Sequence, residues 1–263
     1  MSDILKRNNV TVRGSGDKTI LFAHGFGCDQ NSWKYIADDF AADHKVVLFD
    51  YVGAGKSDLS KYDSAKYASL EGYASDILQV CEALELKEVI FVGHSVSCMT
   101  GVLAAIKNQN LFSKLIFIGP SPCYINDGDY IGGFDKEEMD SLLEVMDEDF
   151  ISWSGSLAPA IMNESNGDAL TKELTDSFCS IDPKIAGEFA RVTFTGDNRK
   201  DLPYVAVKSL TIQSSGDTLA PPSVGEYINK NMPHNTITVI DGKGHCLHMS
   251  RPRETIAAIR AFL

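Results

Sequence analysis

One stretch constrains this chain more than any other: Val89-Ile90-Phe91-Val92-Gly93-His94-Ser95-Val96-Ser97. Its first four residues are apolar, two of them Val, and suit a strand buried on both faces. The run stops at Gly93, and a helical pattern resumes over 97–107. A strand that reverses into a helix at Gly-X-Ser-X-small is a nucleophile elbow, so tight that the serine is strained and its hydroxyl stands above the sheet. Gly93 is needed because a Cβ there would meet the neighbouring backbone. The fifth position is usually Gly; here it is Ser97. Alone, the pentapeptide also reads as a helix capped by Ser95. Its meaning depends on what the rest of the chain supplies.

On both sides of the elbow, apolar runs alternate with helical periodicity. Residues 9–13 and 19–22 read as strands around the turn Gly14-Ser15-Gly16-Asp17. A helix is expected over 32–42, with Trp33, Ile36, Ala37 and Phe40 on one face, then a buried strand at 46–49. Leu70, Tyr73, Ala74, Ile77, Cys81 and Leu84 predict an amphipathic helix over 69–84. Another strand spans 114–118. The alternation resumes with a strand at 209–213, a helix at 222–231, a strand at 236–240 and a helix at 253–263 opened by Pro252. This rhythm predicts an α/β fold with a doubly wound, mostly parallel sheet.

Between the two blocks the pattern changes. No buried strand is evident from 124 to 198; helices are expected at 135–147, 149–162, 168–179 and 183–194, with breaks at Gly167 and near Pro183. The chain therefore divides into a first core part, 1–123, a four-helix lid, 124–198, and a second core part, 199–263. Leu142, Leu157, Phe189 and Phe194 are the residues offered to the lid's underside.

Composition narrows the partners. The formal net charge of −12 comes without a basic block, which argues against nucleic acid and anionic membranes. No segment is long and apolar enough to span a bilayer, and the first residues lack a signal peptide's apolar core, so the cytoplasm is the expected compartment. The six cysteines form no Cys-X-X-Cys pair and no metal-ligand pattern; free thiols are expected, and no metal or organic cofactor. The loop Asp50-Tyr51-Val52-Gly53-Ala54-Gly55-Lys56-Ser57 lacks the glycine spacing of a P-loop and reads as a structural turn.

A serine at an elbow needs a base. Of six histidines, His245 and His248 lie in the loop after the last strand, and the glycines before His245 free it to reach a pocket. A zinc site built on this pair fits neither helical nor ribbon spacing. The acid should follow the preceding strand, and Asp217 is the first carboxylate after 209–213; Asp241, four residues before His245, belongs more naturally to the turn. Ser95, Asp217 and His245 then stand in the order Ser, acid, His of an α/β hydrolase. His24-Gly25-Phe26-Gly27, after the second strand, can turn N–H groups toward a pocket. The Phe26 and Val96 N–H groups are the candidate oxyanion donors.

Several stretches together resemble RsbQ-type α/β hydrolases, relatives of the plant strigolactone and karrikin receptors. They are His24-Gly25-Phe26-Gly27-Cys28-Asp29-Gln30, Leu48-Phe49-Asp50-Tyr51-Val52-Gly53-Ala54-Gly55, the elbow, Gly119-Pro120-Ser121-Pro122-Cys123-Tyr124, and Gly244-His245-Cys246-Leu247-His248-Met249-Ser250. Ser97 is similar to the plant receptors' elbow, whereas RsbQ has Gly there. The resemblance implies a slow serine hydrolase coupled to signalling, as in RsbQ's bacterial energy-stress response. A small apolar ligand such as a butenolide ester or lactone would enter under the lid. It also implies the triad Ser95, Asp217 and His245, an oxyanion hole at Phe26 and Val96, pocket residues Tyr124, Leu142, Leu157 and Phe194, and a protein partner such as a phosphatase with a sensory domain. Two readings stay open: an enzyme whose turnover is its purpose, or a receptor whose lid recruits a partner. Haloperoxidase-like and carbon–carbon bond hydrolases use the same triad.

Overall fold

The apolar runs become seven strands in one sheet: β1 (Thr11–Arg13), β2 (Thr19–Ala23), β3 (Lys45–Leu48), β4 (Val89–His94), β5 (Phe112–Ile118), β6 (Ser209–Ser214) and β7 (Asn235–Ile240). The computed structural model describes residues 3–163 and 168–263. The expected break at Gly167 lies outside them. Strand order is β1-β3-β2-β4-β5-β6-β7; β1 runs antiparallel to β3 and every other pairing is parallel.

Alternation along the inner strands fills both faces. Leu21, Val47, Phe91, Leu115 and Phe117 enter one core, and Ile20, Phe22, Val46, Leu48, Ile90, Val92, Ile116 and Ile118 enter the other. Helices cover both faces: α1 (Asp3–Arg7), α2 (Ala37–Phe40), α3 (Leu70–Ala83), α4 (Val96–Lys107), then α5 (Lys136–Glu148), α6 (Phe150–Met162), α7 (Asp168–Cys179) and α8 (Pro183–Phe194) between β5 and β6, and α9 (Pro222–Asn231), α10 (Leu247–Ser250) and α11 (Pro252–Phe262). α4 lies close over β4 because Gly101 has no side chain: a Cβ there would come within 2.3 Å of the Phe91 ring.

Capping chemistry explains why the inserted helices start where they do. Asp135 and Glu138 close a capping box on α5, and Asp149 accepts the Ser152 N–H at the start of α6. Asp182 accepts from Lys184 and Ile185 at the start of α8, with Pro183 in its first turn. One expected helix differs. Over 32–42 the chain forms a 3-10 helix, Gln30–Tyr35, and then the short α2, because Ile36 leaves helical geometry at φ −131°. Trp33, Ile36, Ala37 and Phe40 are nevertheless fully buried, since spacing of three and four residues serves both windings. No helix among the described residues is long and apolar enough to cross a membrane.

The sheet's topology decides where a site can form. From β2 the chain steps outward to β3, and from β4 it steps the other way through β5, β6 and β7. β2 and β4 are therefore neighbours at the switch point, where α/β sheets open a crevice at their carboxyl ends. Their register pairs Ala23 with Gly93, so the loop after β2 and the turn after β4 leave the sheet side by side.

Candidate active site

Ser95 sits at φ 56°, ψ −124°, a conformation that strains a residue carrying a side chain, and it makes no side-chain cap to α4. Its N–H is held by the Ile118 carbonyl at 2.9 Å. The turn leaves no room at Gly93, where a Cβ would lie 2.8 Å from the Ser97 carbonyl oxygen. The capping alternative therefore fails, and the hydroxyl is free for other work.

Its partners come from the ends of β6 and β7. His245 Nε2 lies 2.8 Å from Ser95 Oγ, and His245 Nδ1 lies 2.8 Å from Asp217 Oδ2. A carboxylate only accepts, so Nδ1 carries the proton and Nε2 is left bare, facing the Ser95 hydroxyl. The other Asp217 oxygen accepts the Leu219 and Ala220 N–H groups at 2.9 and 3.0 Å. Both side chains are almost wholly shielded from solvent, at 2% for His245 and 0% for Asp217. Asp241 instead accepts from Ser215 Oγ on the exposed turn, and the His248 ring packs, tilted, between Trp33 and His94 behind the site.

The loop after β2 runs against the serine. A Cβ on Gly25 would lie 2.5 Å from His94 Nδ1 and 3.3 Å from the Ser95 Cβ, so only glycine passes there. Neither the Phe26 N–H nor the Val96 N–H has a protein hydrogen-bond partner among the described residues. Val96 is the first residue of α4, where N–H groups are left over by helix geometry.

Over the site lies an aromatic enclosure. The Phe26 ring is surrounded by Trp153, Phe178, Phe189 and Phe194 of the inserted helices, with centroids 5.6–6.2 Å away. Tyr124 packs on Phe194 and its hydroxyl is 3.2 Å from Ser95 Oγ. Burial pushes the Tyr124 phenol well above its usual range, so it stays neutral and can donate to that oxygen. Leu157 is buried in the same apolar cluster, and Leu142 is half-buried at its edge. Trp153 and Phe178 escaped the sequence reading; aromatic residues on the inserted helices were the available signal.

The inserted helices also reach the loops that carry these groups. Ile161 at the end of α6 accepts the His245 N–H at 2.9 Å, and Ala160 accepts the Thr218 hydroxyl at 3.0 Å. Ser177 of α7 donates to the Gly27 carbonyl at 2.7 Å. The glycine-rich loop at 50–57 closes on the carboxylate of Asp50, which accepts from the Gln30 and Lys56 N–H groups and from Asn9.

A family profile for the alpha/beta hydrolase fold matches residues 18–252. The chain belongs to the α/β hydrolase family. Among curated members, it is 41% identical over 260 residues to Karrikin insensitive 2 receptor IA of Petunia hybrida, covering 98% of this chain and 95% of that one. It is 34% identical to a strigolactone esterase of Arabidopsis thaliana, over 99% of this chain and 98% of that one. Among solved α/β hydrolase structures, a hydrolase from Oleispira antarctica superposes with a TM-score of 0.97 at 41% identity, covering 99% of this chain and 96% of the other.

Proposed function

We propose that this α/β hydrolase is a serine hydrolase that cleaves a small, neutral, apolar ester or lactone. The observation that carries the reading is the run of two 2.8 Å contacts from Ser95 Oγ through the His245 ring to Asp217. In this reading Ser95 attacks the carbonyl carbon while His245 Nε2 takes its proton. Asp217 holds the imidazole and offsets its positive charge. The Phe26 and Val96 N–H groups receive the oxyanion, each worth about 3 kcal/mol in the transition state. His245 then protonates the leaving oxygen, and water repeats the sequence to release the acid. Tyr124, Leu142, Leu157 and Phe194 would contact the ligand, and the segment 124–198 would act as its lid. The apolar character of the enclosure supports an uncharged substrate, a butenolide among them.

The test is Ser95→Ala with an aryl acetate and a butenolide ester. Hydrolysis should disappear while the circular dichroism spectrum and Tm are kept. Undiminished turnover by a homogeneous mutant would rule the mechanism out.

A receptor reading has its own support. The relative from Petunia is named a receptor, and the helices over the site hydrogen-bond the loops of the proposed base and acid. In that reading ligand binding or one slow turnover shifts the lid and recruits a protein, such as an RsbQ-type sensory phosphatase. Fast, saturable hydrolysis without a partner favours the enzyme; ligand-dependent capture of such a phosphatase at negligible turnover favours the receptor.

A further inference from the structure

We infer that Ser97, at the elbow's fifth position, is a positioning residue that sets the direction of the oxyanion-binding N–H of Phe26. The inference rests on the serine hydrolase reading above and assigns a task to an elbow residue that reading does not use.

Ser97 sits in a cluster of buried hydroxyls. The Ser97 hydroxyl donates to the carbonyl of His24, and the Thr100 hydroxyl donates to the Ser97 carbonyl at 3.0 Å. Each hydroxyl has a single proton and has used it. The Tyr51 hydroxyl, 2.9 Å from Ser97 Oγ and 2.8 Å from Thr100 Oγ1, has one proton of its own and donates it to one of these two oxygens. All four residues are fully buried, so an unmade bond here would not be replaced by bulk water.

His24 carries the constraint forward. Its Nε2 accepts the Tyr51 N–H at 3.2 Å, which leaves the proton on Nδ1, and Nδ1 donates to the Gly25 carbonyl at 2.9 Å. The Cys28 N–H also reaches that carbonyl, at 3.3 Å. Two consecutive peptide planes are thus pinned by their oxygens: His24–Gly25 by Ser97, and Gly25–Phe26 by the His24 ring. In a planar trans peptide the N–H points opposite to the C=O. Holding the Gly25 oxygen on one side directs the Phe26 N–H to the other, in a segment that the missing Gly25 side chain lets run against Ser95. A glycine at 97 would leave the His24 carbonyl without its donor, and the first plane free to rock.

The experiment compares Ser97→Ala, Tyr51→Phe and Ser97→Thr on p-nitrophenyl acetate and on an aryl trifluoromethyl ketone, whose adduct with the serine places an oxyanion in the hole. Ser97→Ala should lower kcat and weaken the ketone about tenfold with KM unchanged, a smaller loss than removing a donor outright. Tyr51→Phe leaves the Ser97–His24 bond in place and should keep kcat within about twofold even if its Tm falls as far. Ser97→Thr, which keeps the hydroxyl, should restore both kcat and ketone affinity. Wild-type kcat and ketone affinity in Ser97→Ala, or equal losses of kcat in Ser97→Ala and Tyr51→Phe, would overturn the inference. Ser95→Ala, run alongside, separates the two claims. If it is inactive while Ser97→Ala matches wild type, only the role of Ser97 fails; if it turns over normally, the hydrolase reading falls and takes this one with it.

Discussion

At the scale of single residues, the most unusual chemistry lies behind the proposed base. His248 is fully buried, and neither of its ring nitrogens has a protein partner among the described residues; the same holds for Trp33 Nε1 and His94 Nδ1 beside it. The other His94 nitrogen lies 3.3 Å from the His245 carbonyl. Burial, joined by the neighbouring His245, lowers the His248 pKa to about 3, and burial takes His94 well below its ordinary value. The unfolded chain binds these protons near pH 6.5, whereas folded His248 resists them until about 3. Stability from neutral His248 is thus full above about pH 6.5 and declines as the pH falls toward 3. Urea midpoints measured from pH 7 to 4 should fall by the equivalent of a few kcal/mol in the wild type. His248→Phe should fall less steeply, and identical slopes would remove His248 as the cause. His248 reads in the sequence as the neighbour of a candidate base, but not as a buried neutral ring. Its environment is made by Trp33 and His94, more than a hundred residues away.

At the scale of elements, strand and helix periods were legible because each element buries a face. The runs at 46–49, 89–92 and, after Lys114, 115–118 have no polar interruption, and the parallel strands they form are covered on both sides. The inserted helices were equally legible, and Asp135, Asp149 and Asp182 mark the starts of three of them. The 3-10 winding of Gln30–Tyr35 was not, because its apolar spacing also suits an α-helix. Nor could spacing show that the end of α6 rests on the loop of His245. Contact there is so close that a Cβ on Gly244 would come within 2.2 Å of the Met162 carbonyl oxygen. Gly244→Ala should therefore push the His245 loop away from α6 and lower kcat/KM at least about tenfold, by the misplacement argument that applies to any general base. Fluorophosphonate labelling of Ser95, which needs the same base, should slow in step with kcat/KM while the far-ultraviolet signal is kept; unchanged kcat/KM would show that the loop tolerates the shift.

At the scale of the whole molecule, order along the chain proved more informative than any local motif. Ser95, Asp217 and His245 were legible because each follows a strand, and a parallel sheet gathers all such ends on one edge. The aromatic enclosure was only partly legible, because Trp153 and Phe178 are ordinary core residues until the insertion folds back over Phe26. The hydrogen bonds joining Ser97, Tyr51 and His24 depend on three separate segments converging and left no trace in spacing.

The pairing of Ala23 with Gly93 has a thermodynamic consequence. The strained serine and the loop of Phe26 hang from the two central strands, whose residues are buried without exception. His245 hangs from β7, a rim strand with a largely open surface. Sub-global opening starts at rims rather than centres. The site should accordingly come apart in two stages under mild urea, losing its proposed proton acceptor while the strained hydroxyl is still held in place. The proposed aryl acetate hydrolysis should vanish at lower urea than the far-ultraviolet signal, with amide exchange at Gly244 and His245 outrunning that at Ala23 and Gly93. Coincident transitions would mean that rim and centre melt as one.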